Sequence, residues 1–494
     1  MDFKQILSKV QLPKITSCTG CATSENIAVI VPEDDFDGAP FKVVADNHIR
    51  EELKKNKCIQ LYGKEGDGYK KAWVCLYAAK TTREIISAGA DLTRAVLHKG
   101  KVTDIVLHFS EKISAEHIDQ FLSGFFLTNH SWNEKTSEGS QLKRYESVTV
   151  CHKTWKYGGD GSFQIDAANY VLFGREIANS RANKATPSSM LKLCQDLAKA
   201  YNLDIEYIVG KDLEAKGLNL IYSVGKGASE PPCLVVLRYN GNPSKPEDLY
   251  SLVGKGVCFD AGGLNIKPTG SMEEMYADKT GACVVLSTFL GIVEKKLPIN
   301  VVVGVFWVEN KLGSDAYRPS DILTSYKGLT IEIGNTDAEG RLCLADTMSY
   351  VQKNYKPHTL VEFSTLTGAC VIALGFDKAG VWTNSDQLWA DLSQASTDAA
   401  ELIWRMPITD EDRENTKTKN ADLGNAVPQK FNASGCNRAA AFLEFFVEQG
   451  VNWAHVDIAG PGLFFNDKYT NCGGASGYGI KLMLNYFKRR AQSS

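Results

Sequence analysis

The stretch Ile-Asn-Val-Val-Val-Gly-Val-Phe-Trp-Val, residues 299–308, decides the fold class of this 494-residue chain. It is an apolar run of strand length, and stretches with helical character lie on both sides of it. Unbroken apolar strands between helices are typical of a sheet that is buried on both faces. Ligands of such sheets bind beyond the carboxyl ends of the strands, so functional residues are expected there.

The same alternation of strand, loop and helix continues outward from this run. Further strands are predicted at residues 234–239, 256–260, 359–364 and 453–458, with helices at 280–296, 340–353 and 439–450. The pattern predicts a larger C-terminal α/β domain over residues 181–494. We expect it to have a mixed, largely buried central sheet flanked by helices.

The first part of the chain, residues 1–160, predicts a smaller α/β domain. Its strands are expected at 28–31, 73–77 and 103–109, and a helix is expected at 82–98. No cluster of reactive residue types occurs there, so a structural or assembly role is the interpretation. A glycine-rich break precedes a helix predicted at 163–180, and we interpret residues 161–180 as the joint between the domains. Pro187 is expected to start the next helix.

Composition excludes several classes of protein. The chain is 44% hydrophobic and 23% charged, and its net charge of −3 does not favour nucleic acid or anionic membrane as a partner. The N-terminus has no signal-peptide core, and no apolar run long enough to span a bilayer is recognised. Thirteen scattered cysteines predict thiols in a reducing cytosol, and the pair Cys18 and Cys21 is interpreted as plain thiols. No HExxH zinc motif occurs.

Four acidic residues recur near strand ends and glycines, namely Asp260, Asp278, Asp337 and Glu339. Each of them alone fits a turn or a helix cap, and spacing alone does not group them. Several carboxylates in one pocket would repel each other, and divalent cations are the natural remedy. Two such cations can share a bridging carboxylate and a bridging water.

The sequences around these acids resemble motifs of the leucyl aminopeptidase family. Asn-Thr-Asp-Ala-Glu-Gly-Arg-Leu, residues 335–342, resembles the family signature over its whole length. Residues 253–267 look like the family's first metal motif, and 275–278 and 364–369 follow in the family's order. The resemblance covers residues 165–485, whereas the N-terminal domain matches only in size and general character.

The resemblance implies roles for individual residues. The implied metal ligands are Lys255, Asp260, Asp278, Asp337 and Glu339. The implied catalytic residues are Lys267, near the scissile carbonyl, and Arg341, which would hold bicarbonate as the general base. The implied substrate-binding residues are Met275, Thr365, Gly368 and Ala459, which would line the side-chain pocket, and Leu366, whose backbone would hold the substrate.

The resemblance also implies an activity. It is the hydrolysis of N-terminal residues, leucine-like ones preferred, from peptides by a hydroxide that bridges two divalent cations. Zinc is the expected metal, with manganese or cobalt as alternatives, because carboxylate oxygens suit all three. A homohexamer in the cytoplasm is implied as well. No Walker phosphate motif is present, because neither serine nor threonine follows Lys255.

Three departures from the family pattern affect the substrate preference. Lys279 and Thr280 follow Asp278 where methionine and a small residue are usual, the loop 309–321 differs in its middle, and Ser364 replaces an alanine. All five implied metal-ligand types and both implied catalytic cations are nevertheless present. The alternative hypothesis is a catalytically weak or inactive relative that acts as an oligomeric scaffold or binding protein, and a lost ligand would be its expected mark. A two-metal phosphoesterase is a third, which the lack of a histidine-rich ligand set disfavours.

Overall fold

The computed structural model describes residues 2–19, 27–32, 58–65, 68–77, 81–97, 104–130, 132, 134, 145–428, 433–463 and 474–493. The chain divides into two compact units. The smaller unit contains Val10–Leu172, and the larger unit contains Met1–Lys9, Phe173–Asn466 and Gly474–Ser494. The fold is mixed α/β in both units, as the alternating pattern predicts.

The first part of the chain contains α1 (Phe3–Val10), β1 (Lys14–Cys18), β2 (Ile27–Pro32), β3 (Cys58–Glu65), β4 (Gly68–Tyr77), α2 (Thr82–Leu97), β5 (Asp104–Phe109), α3 (Ala115–Thr128), β6 (Ser147–Cys151) and α4 (Phe163–Asn179). Within the described ranges its strands form one sheet in the order β1-β6-β5-β2-β4-β3. β3 is antiparallel to β4, and the other neighbours are parallel. Residues 98 and 103, at the edges of a predicted helix and strand, lie outside the described residues.

Cys18 and Cys151 form a disulfide within the smaller unit. The parallel pairing of β1 with β6 places the two residues opposite each other, with their Cα atoms 4.8 Å apart. The prediction of a plain thiol at Cys18 is therefore wrong, because strand register brings a cysteine far away in sequence beside it. Cys21, the second cysteine of that predicted pair, lies outside the described residues.

The larger unit continues with α5 (Pro187–Tyr201), β7 (Asp204–Val209), α6 (Lys211–Ala215), α7 (Asn219–Gly225), β8 (Cys233–Asn240), β9 (Leu249–Gly254), β10 (Val257–Asp260), α8 (Thr280–Glu294), β11 (Asn300–Asn310), β12 (Ile322–Thr324), β13 (Thr330–Glu332), α9 (Glu339–Tyr355), β14 (Thr359–Ser364), α10 (Gly368–Leu374), β15 (Lys378–Thr383), α11 (Asp386–Ala399), β16 (Leu402–Arg405), α12 (Asp410–Glu414), β17 (Leu423–Gly424), α13 (Gly435–Glu444), β18 (Asn452–Asp457), α14 (Ala459–Leu463) and α15 (Ile480–Ser493). α5 begins at Pro187 as expected, with Thr186 as its N-cap.

The central sheet of the larger unit has the order β16-β15-β18-β14-β9-β11-β8-β7 in the described part, and β10 also pairs with β11. β9, β14 and β18 run parallel with β11, whereas β8 is antiparallel to it, so the sheet is mixed. Every residue of β11 is buried, because helices such as α8 and α9 pack against the sheet. The carboxyl ends of β9, β10 and β14 therefore lie along one edge of a rigid platform.

Two sequence expectations need correction. The helix predicted at 439–450 is α13, and it ends at Glu444. The side chain of Gln352 bonds the backbone of Phe446 and Glu448 there, and these tertiary bonds replace helical ones. In addition, Met275–Glu294 does have the length and composition of a membrane span, but its most apolar 18-residue window is fully buried, as in a core helix.

Candidate metal centre

Residues at the carboxyl ends of the central strands converge on one site. Lys255 directly follows β9, and Asp260 is the last residue of β10. Asp278 follows a 3₁₀ turn, Met275–Ala277, that precedes α8. Glu339 is the first residue of α9. Because these elements pack around the same strands, acids that are far apart in sequence meet at the edge where ligands of such sheets bind.

Lys255 is buried among oxygen atoms. Its Nζ atom lies 2.8 Å from Asp278 Oδ1 and 3.0 Å from Glu339 Oε1, and it donates to the carbonyl oxygen of Thr365 at 3.1 Å. A Cβ atom on Gly340 would lie 2.4 Å from Lys255 Cε. The glycine after Glu339 is therefore required so that the lysine side chain can pass α9.

Lys267 occupies a second group of carboxylates beside the first. Its Nζ atom lies 2.8 Å from Asp260 Oδ2 and 2.5 Å from Asp337 Oδ1. One ligand atom from each of Asp260, Asp337 and Glu339 falls within 4.8 Å of the others. Glu339 thus belongs to both groups, since it also contacts Lys255. The site is two adjacent oxygen-rich positions that share a carboxylate.

The site holds several buried carboxyl groups, and burial disfavours their charged forms. Burial and the charge of Glu339 raise the pKa of Asp260 well above its usual value, and burial raises that of Asp278 to about 6. Burial opposes the charge of Lys255, but the surrounding carboxylates raise its pKa above the ordinary lysine value. The same opposition raises the pKa of Lys267, so this lysine stays protonated at neutral pH.

The donor set fits divalent cations. Asp278 Oδ2 and Glu339 Oε2 are buried and lack a hydrogen-bond partner among the described residues. A buried carboxylate oxygen without a partner is costly, and a cation removes that cost. The residues that could hold cations are Lys255, Asp260, Asp278, Asp337 and Glu339. Their oxygen-rich composition suits zinc, manganese or cobalt, and a ligating lysine would have to be neutral.

Asn310 and Thr336 support the carboxylates, and the sequence analysis missed both. Asn310 Nδ2 donates to Asp260 Oδ1 at 2.8 Å and to the carbonyl oxygen of Thr336 at 3.0 Å. The hydroxyl of Thr336 donates to the carbonyl oxygen of Gly262 at 2.6 Å. Asn310 lies just past the predicted strand 299–308. Like Asp260, it is a polar residue at the carboxyl end of a buried strand, and this position could have indicated it.

A cavity of 240 Å³ adjoins the carboxylates. Asp337, Arg341, Leu366 and Gly368 are among the residues that line it. Arg341 donates through Nη1 to the carbonyl oxygen of Asn425 at 2.7 Å, and burial lowers its pKa to about 10. Its buried Nε atom has no partner within the described part of the chain. A donor left free beside a cavity suits a small anion or a substrate oxygen.

Of the five residues that the resemblance implies for substrate binding, two line the cavity and three do not. Leu366 and Gly368 line the cavity, whereas Met275, Thr365 and Ala459 are not among its lining residues. Thr365 instead donates to Asp278 Oδ1 at 2.7 Å, so it orients an acid of the site. The backbone N–H of Ala459 donates to the carboxylate of Asp457 at 3.1 Å.

Comparisons with known proteins identify the family of the chain. The model of the cytosol aminopeptidase family catalytic domain matches residues 172–484. A probable cytosol aminopeptidase of Chlamydia caviae is 35% identical over 464 residues, which is 91% of each chain. The matched region includes the whole carboxylate site.

Two solved structures are similar over nearly the whole chain. The leucyl aminopeptidase of Trypanosoma cruzi, in its apo form, superposes with a TM-score of 0.83 at 25% identity and covers 98% of this chain and 99% of its own. The bottromycin maturation enzyme BotP, in a complex with Mn, gives a TM-score of 0.82 at 26% identity and covers 95% of this chain and 100% of its own. Both likenesses extend through the smaller N-terminal unit.

Proposed function

The chain belongs to the cytosol aminopeptidase family and is a metal-dependent peptidase, and we propose that it removes N-terminal residues from peptides with two adjacent divalent cations. The observation that carries this proposal is the carboxylate of Glu339, which belongs to two oxygen-rich groups at once. Lys255 and Asp278 complete one group, and Asp260 and Asp337 complete the other. Zinc is the metal we expect, with manganese or cobalt as alternatives.

The cations, when bound, would lower the pKa of a bound water so that hydroxide is available as the nucleophile near neutral pH, and they would supply positive charge that polarises the peptide carbonyl. The protein supplies the rest. Lys267 is a protonated ammonium at the edge of the site, where it stabilises negative charge that develops on the carbonyl oxygen. Arg341 lines the cavity and has a buried Nε atom without a partner among the described residues, which supports the proposal that it holds bicarbonate as general base.

The preference for leucine-like N-terminal residues is part of the same proposal. Met275, Thr365, Leu366, Gly368 and Ala459 are the residues we assign to substrate binding. Gly368 lines the cavity, and the open space around it leaves room for a branched aliphatic side chain. Apolar pockets discriminate weakly between similar side chains, so we expect a preference of 10- to about 200-fold rather than strict selectivity.

We also propose a homohexamer in the cytoplasm. The described part of the central sheet ends at β16, where Leu402 and Trp404 are exposed. An apolar edge strand is normally covered, since an open one promotes aggregation. This supports an assembly that buries the edge, and size-exclusion chromatography with light scattering tests it. A monomeric mass would contradict the hexamer without affecting the activity.

The test of the proposed function combines activity with metal content. Purified protein is stripped with a chelator, reloaded with zinc, manganese or cobalt, and assayed with leucine p-nitroanilide. We expect two metal ions per chain and activity that follows metal loading. Glu339→Gln should bind fewer ions and lose activity, whereas Glu414→Gln, an exposed carboxylate on α12, should match the wild type.

If the correctly folded protein showed no activity with any of the three metals, on substrates with any N-terminal residue, the proposal would be contradicted. That result would favour the alternative function as an oligomeric scaffold or binding protein.

A further inference from the structure

Lys279 directly follows the proposed metal ligand Asp278, yet it is fully buried. Its Nζ atom donates to the carbonyl oxygens of Ala178 at 3.2 Å and Ser180 at 2.9 Å, and also to that of Tyr276. An ammonium group has three N–H donors, and here each has an acceptor. The ammonium group of this lysine is thus stabilised by three backbone carbonyl groups and not by a carboxylate.

The acceptors belong to two separate elements. Ala178 lies in the last turn of α4, and Ser180 lies just beyond its end, where helices leave carbonyl groups unpaired. A cation is also favoured at this end by the helix dipole. Tyr276, in contrast, lies in the 3₁₀ turn Met275–Ala277 that leads into Asp278. Lys279 therefore ties that turn to the end of α4.

A second cation holds the same turn. The guanidinium carbon of Arg181 lies 3.7 Å from the centroid of the Tyr276 ring, and Lys279 Nζ lies 5.8 Å from it. Arg181 follows the end of α4 by two residues, so both contacts join the same two segments. The turn that leads into Asp278 is thus fixed by contacts other than those of the Asp278 carboxylate, which are with Lys255 and Thr365.

We infer that Lys279 is a positioning residue that sets the affinity of the cation position served by Asp278 and Lys255. This inference rests on the proposed two-metal function and deepens it. Asp278 Oδ1 is held at 2.8 Å from Lys255 Nζ and 2.7 Å from Thr365 Oγ1 only while its turn keeps its place. Asp337, which serves the other position, lies on another loop, between β13 and α9.

The experiment measures zinc affinity without turnover. The full-length protein is stripped, and zinc alone is titrated in competition with a chromophoric chelator, which yields a dissociation constant for each position. Lys279→Met keeps an unbranched side chain without the charge, and it should weaken one position by about 10- to 100-fold and leave the other unchanged. At saturating zinc its kcat for leucine p-nitroanilide should return close to the wild-type value.

The matched control is Lys481→Met, which removes another buried lysine, on α15, and should leave both affinities unchanged. If Lys279→Met does not fold, Arg181→Met replaces it and should weaken the same position by a smaller factor. Wild-type affinity at both positions in the folded variant would overturn the inference while the proposed function stands. A wild-type protein that binds no zinc would overturn both.

Discussion

The hydroxyl of Thr367 donates a hydrogen bond of 2.7 Å to Asp457 Oδ2 and thereby joins the loop after one strand to the end of the neighbouring strand. Thr367 follows β14, and Asp457 is the last residue of β18. The other oxygen of Asp457 accepts from the backbone N–H groups of Leu366 and Ala459, both at 3.1 Å. One buried carboxylate therefore positions two of the residues that we assign to substrate binding.

The first prediction concerns Asp457→Asn. An amide offers one acceptor where the carboxylate offers two, so at least one buried donor is left unpaired, at a cost of about 1–3 kcal/mol. We expect the KM for leucine p-nitroanilide to rise about tenfold with unchanged metal content. Asp346→Asn is the control, because Asp346 is also buried and also accepts backbone N–H bonds, from Leu220 and Tyr326. It should lower the melting temperature and leave KM unchanged; an equal rise in KM would contradict the assignment.

The second prediction concerns Gly340→Ala. The new methyl group would lie 2.4 Å from Lys255 Cε, so the buried lysine side chain must move. We expect zinc affinity to fall by about 10-fold or more, because ligand geometry is disturbed while the helix itself tolerates alanine well. Gly161→Ala is the control, since a Cβ there would meet only one atom, at 4.0 Å. Unchanged zinc binding in Gly340→Ala would show that Lys255 does not ligate.

Much of the fold follows from the sequence pattern. The strand predicted at 359–364 has the same bounds as β14. The strand predicted at 299–308 starts one residue before β11, which begins at Asn300. These strands are buried along their whole length, as expected for strands of a sheet that is covered on both faces. The end of α13 did not follow, because Gln352, which lies far away in sequence, bonds the backbone there.

The sequence was sufficient to predict the acidic residues of the candidate site, but not the contacts that hold the site in place. Motif resemblance indicated Asp260, Asp337 and Glu339, and the structure brings their carboxylates together. The three carbonyl acceptors of Lys279 could not be predicted, since Ala178 lies 101 residues away and offers only backbone atoms. Asp457 was missed as well, although an acid at the carboxyl end of a buried strand is a usable signal.

The third prediction concerns Lys267→Met. This change removes the cation that faces Asp260 and Asp337 but keeps a long unbranched side chain. We expect kcat to fall by about 10²–10³-fold at saturating metal, because a charge that stabilises the developing oxyanion is lost. Lys417→Met, on the surface beside Glu414, should retain the wild-type kcat. If kcat were unchanged and only metal affinity altered, Lys267 would be a counter-charge to the carboxylates and not a catalytic residue.

The last prediction concerns a fully buried ion pair beneath the site. His455 on β18 and Glu362 on β14 stand opposite each other in the sheet, and His455 Nδ1 contacts Glu362 Oε1. The charged groups Asp457 and Arg341 also act on His455. Burial opposes the charge of the imidazole, yet Glu362 raises the pKa of His455 above its usual value. Burial raises the pKa of Glu362 as well.

The sign of the pH dependence follows from these directions. A raised pKa in the folded state means that folding takes up protons, and both groups of the pair are raised. The stability contributed by His455 is full below its unfolded pKa, near 6.5, and is lost as the pH rises through the folded value. We therefore expect the free energy of unfolding to fall between pH 6 and 9 by about 1 kcal/mol more in the wild type than in the double variant Glu362→Gln/His455→Gln.

Urea unfolding at several pH values measures this difference. Each single variant leaves one buried group without its partner and should cost about 3–5 kcal/mol at pH 7. The double variant should recover part of that loss, because neither remaining amide carries a charge. Parallel pH profiles in the wild type and the double variant would contradict the prediction and would mean that the folded pair binds no more protons than the unfolded chain in this range.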